Sequence, residues 1–202
     1  MTLRFTRVMA AIGIALTVAG VGYTAAATTG WKPNGGPLFQ AVLHLGELAV
    51  VLALTGANAV GAGSLGRLGL AVAIVGQVLL AAAELVFPAS PNVGNAMFAV
   101  APLLSGLGMI MAGSAVVRGG TWSGVRRLLP LLVGVWILVP ATPVMIITGG
   151  APDLLALAVI IVWDVLWALT GVAVLTMTGR TKIGAAEVTR ATSRQTLFRT
   201  GG

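Results

Sequence analysis

The chain reads as an all-α protein, a polytopic transmembrane helical bundle of six helices with both termini cytoplasmic. Three observations predict this. Of its 202 residues, 57% are hydrophobic and 8% charged, with a mean hydropathy of +1.01, whereas a soluble domain carries about 25% charged residues over its surface. The apolar residues fall into six blocks, each reaching the ~20 residues that cross a ~30 Å hydrocarbon core. The basic residues, finally, are confined almost wholly to alternate connectors. Barrel strands are excluded, because they would alternate polar and apolar residues over about ten positions.

The first block, Val8 to Thr28, follows Arg4 and Arg7 and carries Ala11, Ala15 and Ala19 at every fourth position. That spacing lines one helix face with small side chains, a seam for close approach. The arginines, the apolar run and "AAA" at 25–27 also fit a secretory signal, but the run exceeds a signal core of about 7 to 15 residues, so it is read as a retained helix. "GWKPNGGP" at 30–37 then turns the chain. The second block, Leu38 to Val60, holds His44 and Glu47 and a second small stripe at Ala49, Ala53 and Ala57. After "GAGSLGR" at 61–67, the third block, Leu68 to Phe87, contains Gln77 and Glu84.

"PASPNVGN" at 88–95 leads to the fourth block, Ala96 to Val117, and "RGGTWSGVRR" at 118–127 to the fifth, Leu128 to Thr148. Pro140 and Pro143 interrupt that helix in "VPATPVMI" and release carbonyls near Trp136 and Val139, so a kink is expected there. Trp31 and Trp122 sit in connectors, where the membrane interface favours indoles. In "GGAPD" at 149–153, Asp153 is placed to cap the sixth block, Leu154 to Met177, which contains Asp164 and Trp167. The connectors are short, so successive helices run antiparallel and residues 1–178 form one membrane domain. Residues 179–202 form a basic cytoplasmic tail.

Orientation follows from the charges. Arg4, Arg7, Arg67, Arg118, Arg126, Arg127 and the tail's Arg180, Lys182, Arg190, Arg194 and Arg199 share one side, and Lys32 alone takes the other. Basic residues in short loops stay cytoplasmic, which sets the chain as a multi-pass protein of the bacterial inner membrane with N-in and C-in topology. The net charge of +7 is thus a topology signal rather than a nucleic-acid footprint. The tail suits anionic lipid headgroups, at about 1 kcal/mol per nearby Lys or Arg. The lipid bilayer is the principal partner, and the alanine-rich faces suit either an internal seam or a partner subunit.

Four titratable residues lie within the spans. At 1.5 Å rise per residue, Glu84 sits about 5 Å, His44 about 9 Å, Glu47 about 13 Å and Asp164 about 15 Å below the outer boundary. A charge at the bilayer centre costs on the order of 3 kcal/mol, so such groups face the bundle interior or a wet cavity. His44 and Glu47 are spaced i, i+3 and stack on one helix face. If the carboxyls converge, their excess over basic groups is met by protonation or by a bound cation. His44, Glu47, Glu84, Asp164 and Trp167 therefore form the candidate intramembrane polar site, either an outward-facing pocket for a small solute or cation with a role in transport, or a proton relay, or a structural network assisted by Gln77, Asn58 and Thr170.

Other chemistries find little support. The chain has no cysteine, which removes disulfides, thiolate metal sites, iron–sulfur clusters and thiol catalysis. No GxSxG, HExxH, P-loop or Rossmann GxGxxG occurs, and Ser64, Ser105 and Ser114 have no neighbouring base. "HxxE" lacks the second histidine of a zinc-protease helix, and one histidine cannot supply paired haem ligands. No catalytic residue, metal or cofactor is assigned.

The piece from "HLGELAV" through "GRLGLAVAIVGQVLLAAAELVFP", His44 to Pro88, with "LPLLVGVWILVPATP" later, resembles small six-helix membrane proteins of high-GC bacteria whose function is uncharacterised. The resemblance implies the fold and no activity. A second, weaker likeness is to the substrate-binding subunits of energy-coupling-factor vitamin transporters, which are similar in size and helix number and dock through alanine stripes on the first helix. "AAIGIALTVA" would take that part.

Overall fold

The computed structural model describes residues 1–31, 34–119, 122–150 and 153–199, with side chains as far as Met177. Lys32 and the basic side chains of the tail fall outside that description. Every regular element is helical: α1 (Leu3–Ala27), α2 (Gly36–Gly56), α3 (Ser64–Val86), α4 (Pro91–Gly119), a short 3-10 helix (Gly124–Leu128), α5 (Leu129–Trp136), a π turn (Ile137–Ala141), α6 (Thr142–Thr148) and α7 (Leu154–Arg199). Six segments are long and apolar enough to cross a membrane, the 3-10 helix, α5, the π turn and α6 jointly making the fifth, Gly124–Thr148. The last helix does not stop at the membrane-length segment Leu154–Met177 but continues to Arg199.

The expected kink in the fifth span takes the form of a π turn. Pro140 lies inside it, and its missing N–H breaks the regular bonding. The hydroxyl of Thr142 donates at 2.6 Å to the Ile137 carbonyl, the same oxygen that its own backbone N–H bonds across the π turn. Trp136 anchors the same region by donating Nε1–H to the Val159 carbonyl in α7 at 2.9 Å. Asp153 caps α7 as expected, accepting from the amides of Leu155 at 2.8 Å and Ala156 at 3.2 Å.

The spans close a circuit in chain order, each packing on the next and α7 returning to α1, while α2 also touches α7. Glycine sets the separation of α3 and α4. A Cβ on Gly69 would stand 2.6 Å from the Ala112 nitrogen, and one on Gly108 would meet the Ala73 nitrogen, so neither backbone leaves room for a side chain. Lipid supplies no hydrophobic force between helices, and such close packing takes its place.

The small-residue stripes part company. Ala49 and Ala53 are buried in the bundle, whereas Ala11, Ala15 and Ala19 are exposed on its perimeter. The face of α1 that packs inward is Thr6, Ala10, Gly13, Thr17, Gly20 and Thr24, spaced alternately four and three residues. The two connector indoles differ in setting. Trp122 is 4% exposed and packs into the core, whereas Trp31 is 50% exposed.

Antiparallel packing gathers the charges at opposite ends. Gly56 lies against Thr6, Gly66 against Ala115 and Gly113 against Leu131, so Arg4, Arg7, Arg67, Arg118, Arg126 and Arg127 share the N-terminal end. Among the described side chains, Glu84, Asp153 and Asp164 lie in the opposite half, and Glu47 sits at the middle of α2.

Candidate intramembrane polar site

α2 brings His44 and Glu47 one turn apart onto the same face, and the Nδ1 of His44 bonds the Oε2 of Glu47 at 2.9 Å. The other ring nitrogen, Nε2, faces Oε1 of Glu84 on α3 at 3.7 Å, an ion-pair separation too long for a direct hydrogen bond. Asp164 on α7 lies next to Glu47, near enough for the two carboxyls to act on one another. An ionised carboxylate only accepts, so a direct bond between them would place a proton on one of the pair. The result is a connected series, Glu84, His44, Glu47, Asp164, drawn from three helices.

Burial is deepest at Glu47. The side chains of Glu84 and His44 are 15% and 16% exposed and that of Glu47 3%, while Asp164 as a residue is 7% exposed. Asp164 fits its place because α1 presents a glycine there: a Cβ on Gly20 would stand 2.9 Å from Oδ2 and 3.3 Å from Cγ of the carboxyl. Gly20 is thus the fourth helix's contribution, made by an absent side chain. Sequence reasoning missed it, although its place in the Thr6-to-Thr24 series of small and polar residues was a readable signal.

Trp167 is fully buried and packs edge-on against Trp163, their ring centroids 6.3 Å apart. The indole beside the cluster is that of Trp163, whose centroid lies 6.4 Å from the His44 ring. Neither indole N–H has a hydrogen-bond partner. Gln77, expected to help tie the second, third and sixth spans together, instead donates to Ser105 Oγ on α4 at 2.8 Å. Thr170 bonds the Leu166 carbonyl of its own helix, and Asn58 lies in the turn after α2.

Among the described residues, no group of three or more His, Asp and Glu is arranged to hold a metal ion. The ligand chemistry agrees, since both nitrogens of His44 are turned to carboxylates. What the arrangement can do is pass a proton. The imidazole has Glu47 bonded at one nitrogen and Glu84 3.7 Å from the other, so a proton taken up at one nitrogen can leave from the other once Glu84 closes to hydrogen-bond range, and Asp164 stands beside Glu47 as a further carboxyl. Comparison with protein-family models, curated proteins and solved structures gives no match to this chain.

Proposed function

We propose that this multi-pass protein resides in the bacterial inner membrane with both termini in the cytoplasm, and that its cluster binds and exchanges protons from the outer side in support of small-solute or cation transport. The observation that carries the reading is the connected series Glu84, His44, Glu47, Asp164. Three acids meet one base there, and the arginines of the spans sit in end turns at the far end of the bundle. Intramembrane ionisable groups that pair with one another mark ion pathways and proton relays. Because these four already contact one another in sequence, they suit proton transfer better than they suit enclosing a solute.

The test is pH-difference infrared spectroscopy of the reconstituted protein, paired with proton flux into liposomes holding a pH-sensitive dye. A protonated-carboxyl band that titrates should weaken in Glu47→Gln and Asp164→Asn, and proton flux should fall with it. Unaltered bands and flux in both variants would sink the reading. The second reading is an accessory or structural membrane subunit in which these bonds only stitch α2, α3 and α7. The seating of Asp164 against Gly20 favours it, and it predicts lost stability in the same variants with no titrating band to lose.

A further inference from the structure

A groove of about 260 Å³ opens between the C-terminal end of α2 and the N-terminal end of α3, in the half of the bundle away from the carboxylates. Its polar residues are Thr55, Asn58 and Arg67, and its apolar wall includes Leu70, Ala71 and Ile74. These are ordered along α3. Arg67 occupies the first turn, while Leu70 and Ile74 lie about 4.5 and 10.5 Å deeper at 1.5 Å per residue. Thr55, Asn58, Arg67 and Ala71 are exposed, so the groove faces outward from the bundle. Leu68 and Val75, neighbours on α3, are each 56% exposed and extend the apolar surface beside it.

We infer that this groove holds an anionic phospholipid, its phosphate on Arg67 and an acyl chain along Leu70, Ala71 and Ile74. A guanidinium presents five donors in a fork that matches phosphate oxygens. One of those donors bonds the Ala62 carbonyl, which holds the side chain at the rim. Asn58, with φ +50, projects from the adjoining turn and adds an amide at the same level. Two features select a lipid over a free phosphate ion. The wall below the arginine is apolar, and the cavity suits a phosphoglycerol group whose tails continue along the exposed side of α3. Selection for negative charge comes from the surroundings: Arg4, Arg7, Arg126 and Arg127 share this end, and among the described side chains it has no carboxylate. Basic pockets between membrane helices on the cytoplasmic side bind anionic headgroups for the same reason.

The experiment is lipid titration of the purified full chain in detergent, read by native mass spectrometry and by thermal shift. The probes are phosphatidylglycerol, phosphatidylcholine of matched chains, glycerol phosphate and inorganic phosphate. Phosphatidylglycerol should bind and stabilise more than phosphatidylcholine, and the two water-soluble phosphates should not reproduce the shift. Arg67→Gln should weaken phosphatidylglycerol about tenfold, as loss of a charge-assisted bond implies, and Ala71→Trp should block it without changing charge. Arg118→Gln, at the same end but outside the groove, should leave binding within about twofold. The inference is overturned if Arg118→Gln weakens binding as much as Arg67→Gln, if Ala71→Trp binds normally, or if inorganic phosphate stabilises as well as the lipid.

Discussion

Replacing Glu47 separates the bonds of the cluster from its mere polarity. Leucine at 47 keeps most of the side-chain volume but removes the acceptor 2.9 Å from His44 Nδ1 and the partner of Asp164. Two groups are then stranded at 16% and 7% exposure. Each unsatisfied buried polar group costs about 1–3 kcal/mol, and breaking one side of a buried charged pair costs about 3–5 kcal/mol. Both routes point to a loss of about 3–5 kcal/mol for Glu47→Leu. Glutamine keeps the shape, accepts from His44 through Oε1 and donates to Asp164 through its amide, so its loss should be about 1 kcal/mol. The gap of at least about 2 kcal/mol is a roughly thirtyfold difference in the unfolding equilibrium. Reversible unfolding in bicelles, followed by tryptophan fluorescence, measures it directly. If Glu47→Leu is as stable as Glu47→Gln, the side chain holds nothing in place and the cluster is not a bonded unit. A double-mutant cycle with Asp164→Asn gives an independent check: contact predicts a coupling of about 0.5–3 kcal/mol, and separation predicts none.

Gly20→Ala places a methyl against the Asp164 carboxyl and should cost about 1–3 kcal/mol by overpacking; in an Asp164→Ala background the same change should be silent, and an equal cost in both backgrounds would remove Gly20 from the site. Gly69→Ala sets two effects in opposition. Helix propensity alone would stabilise by about 1 kcal/mol, but the new Cβ meets the Ala112 nitrogen and the Gly108 oxygen, both backbone atoms, so denaturant unfolding should show net destabilisation. Asp153→Ala should lose about 1 kcal/mol as the α7 cap is removed, while Asp153→Asn, which keeps an acceptor, should retain most of the stability in the same assay.

The number of membrane-length apolar helices was legible because lipid imposes length and apolarity on a span, and those are properties of contiguous residues. The Asp153 cap and the His44–Glu47 pair were legible for a related reason, each being contained within one helix or at its end. The joining of Glu84 and Asp164 to that pair was readable only as a matching of depths, since which faces meet is decided between helices. The first helix shows why faces are harder than spans. In water, hydrophobicity marks the inward face, but a lipid-facing surface is as apolar as a buried one, so Ala11, Ala15 and Ala19 on the perimeter look as fit for packing as Gly13, Thr17 and Gly20 do. What distinguishes the true face is its hydroxyls and glycines, residues that lipid gives no reason to display. Thr17, for example, is 1% exposed and donates to the Gly13 carbonyl of its own helix at 2.8 Å. Asp164 carries the argument furthest. Nothing within α7 says where its carboxyl sits. The niche is made by a missing side chain on α1, and a pattern sought within single helices passes over it.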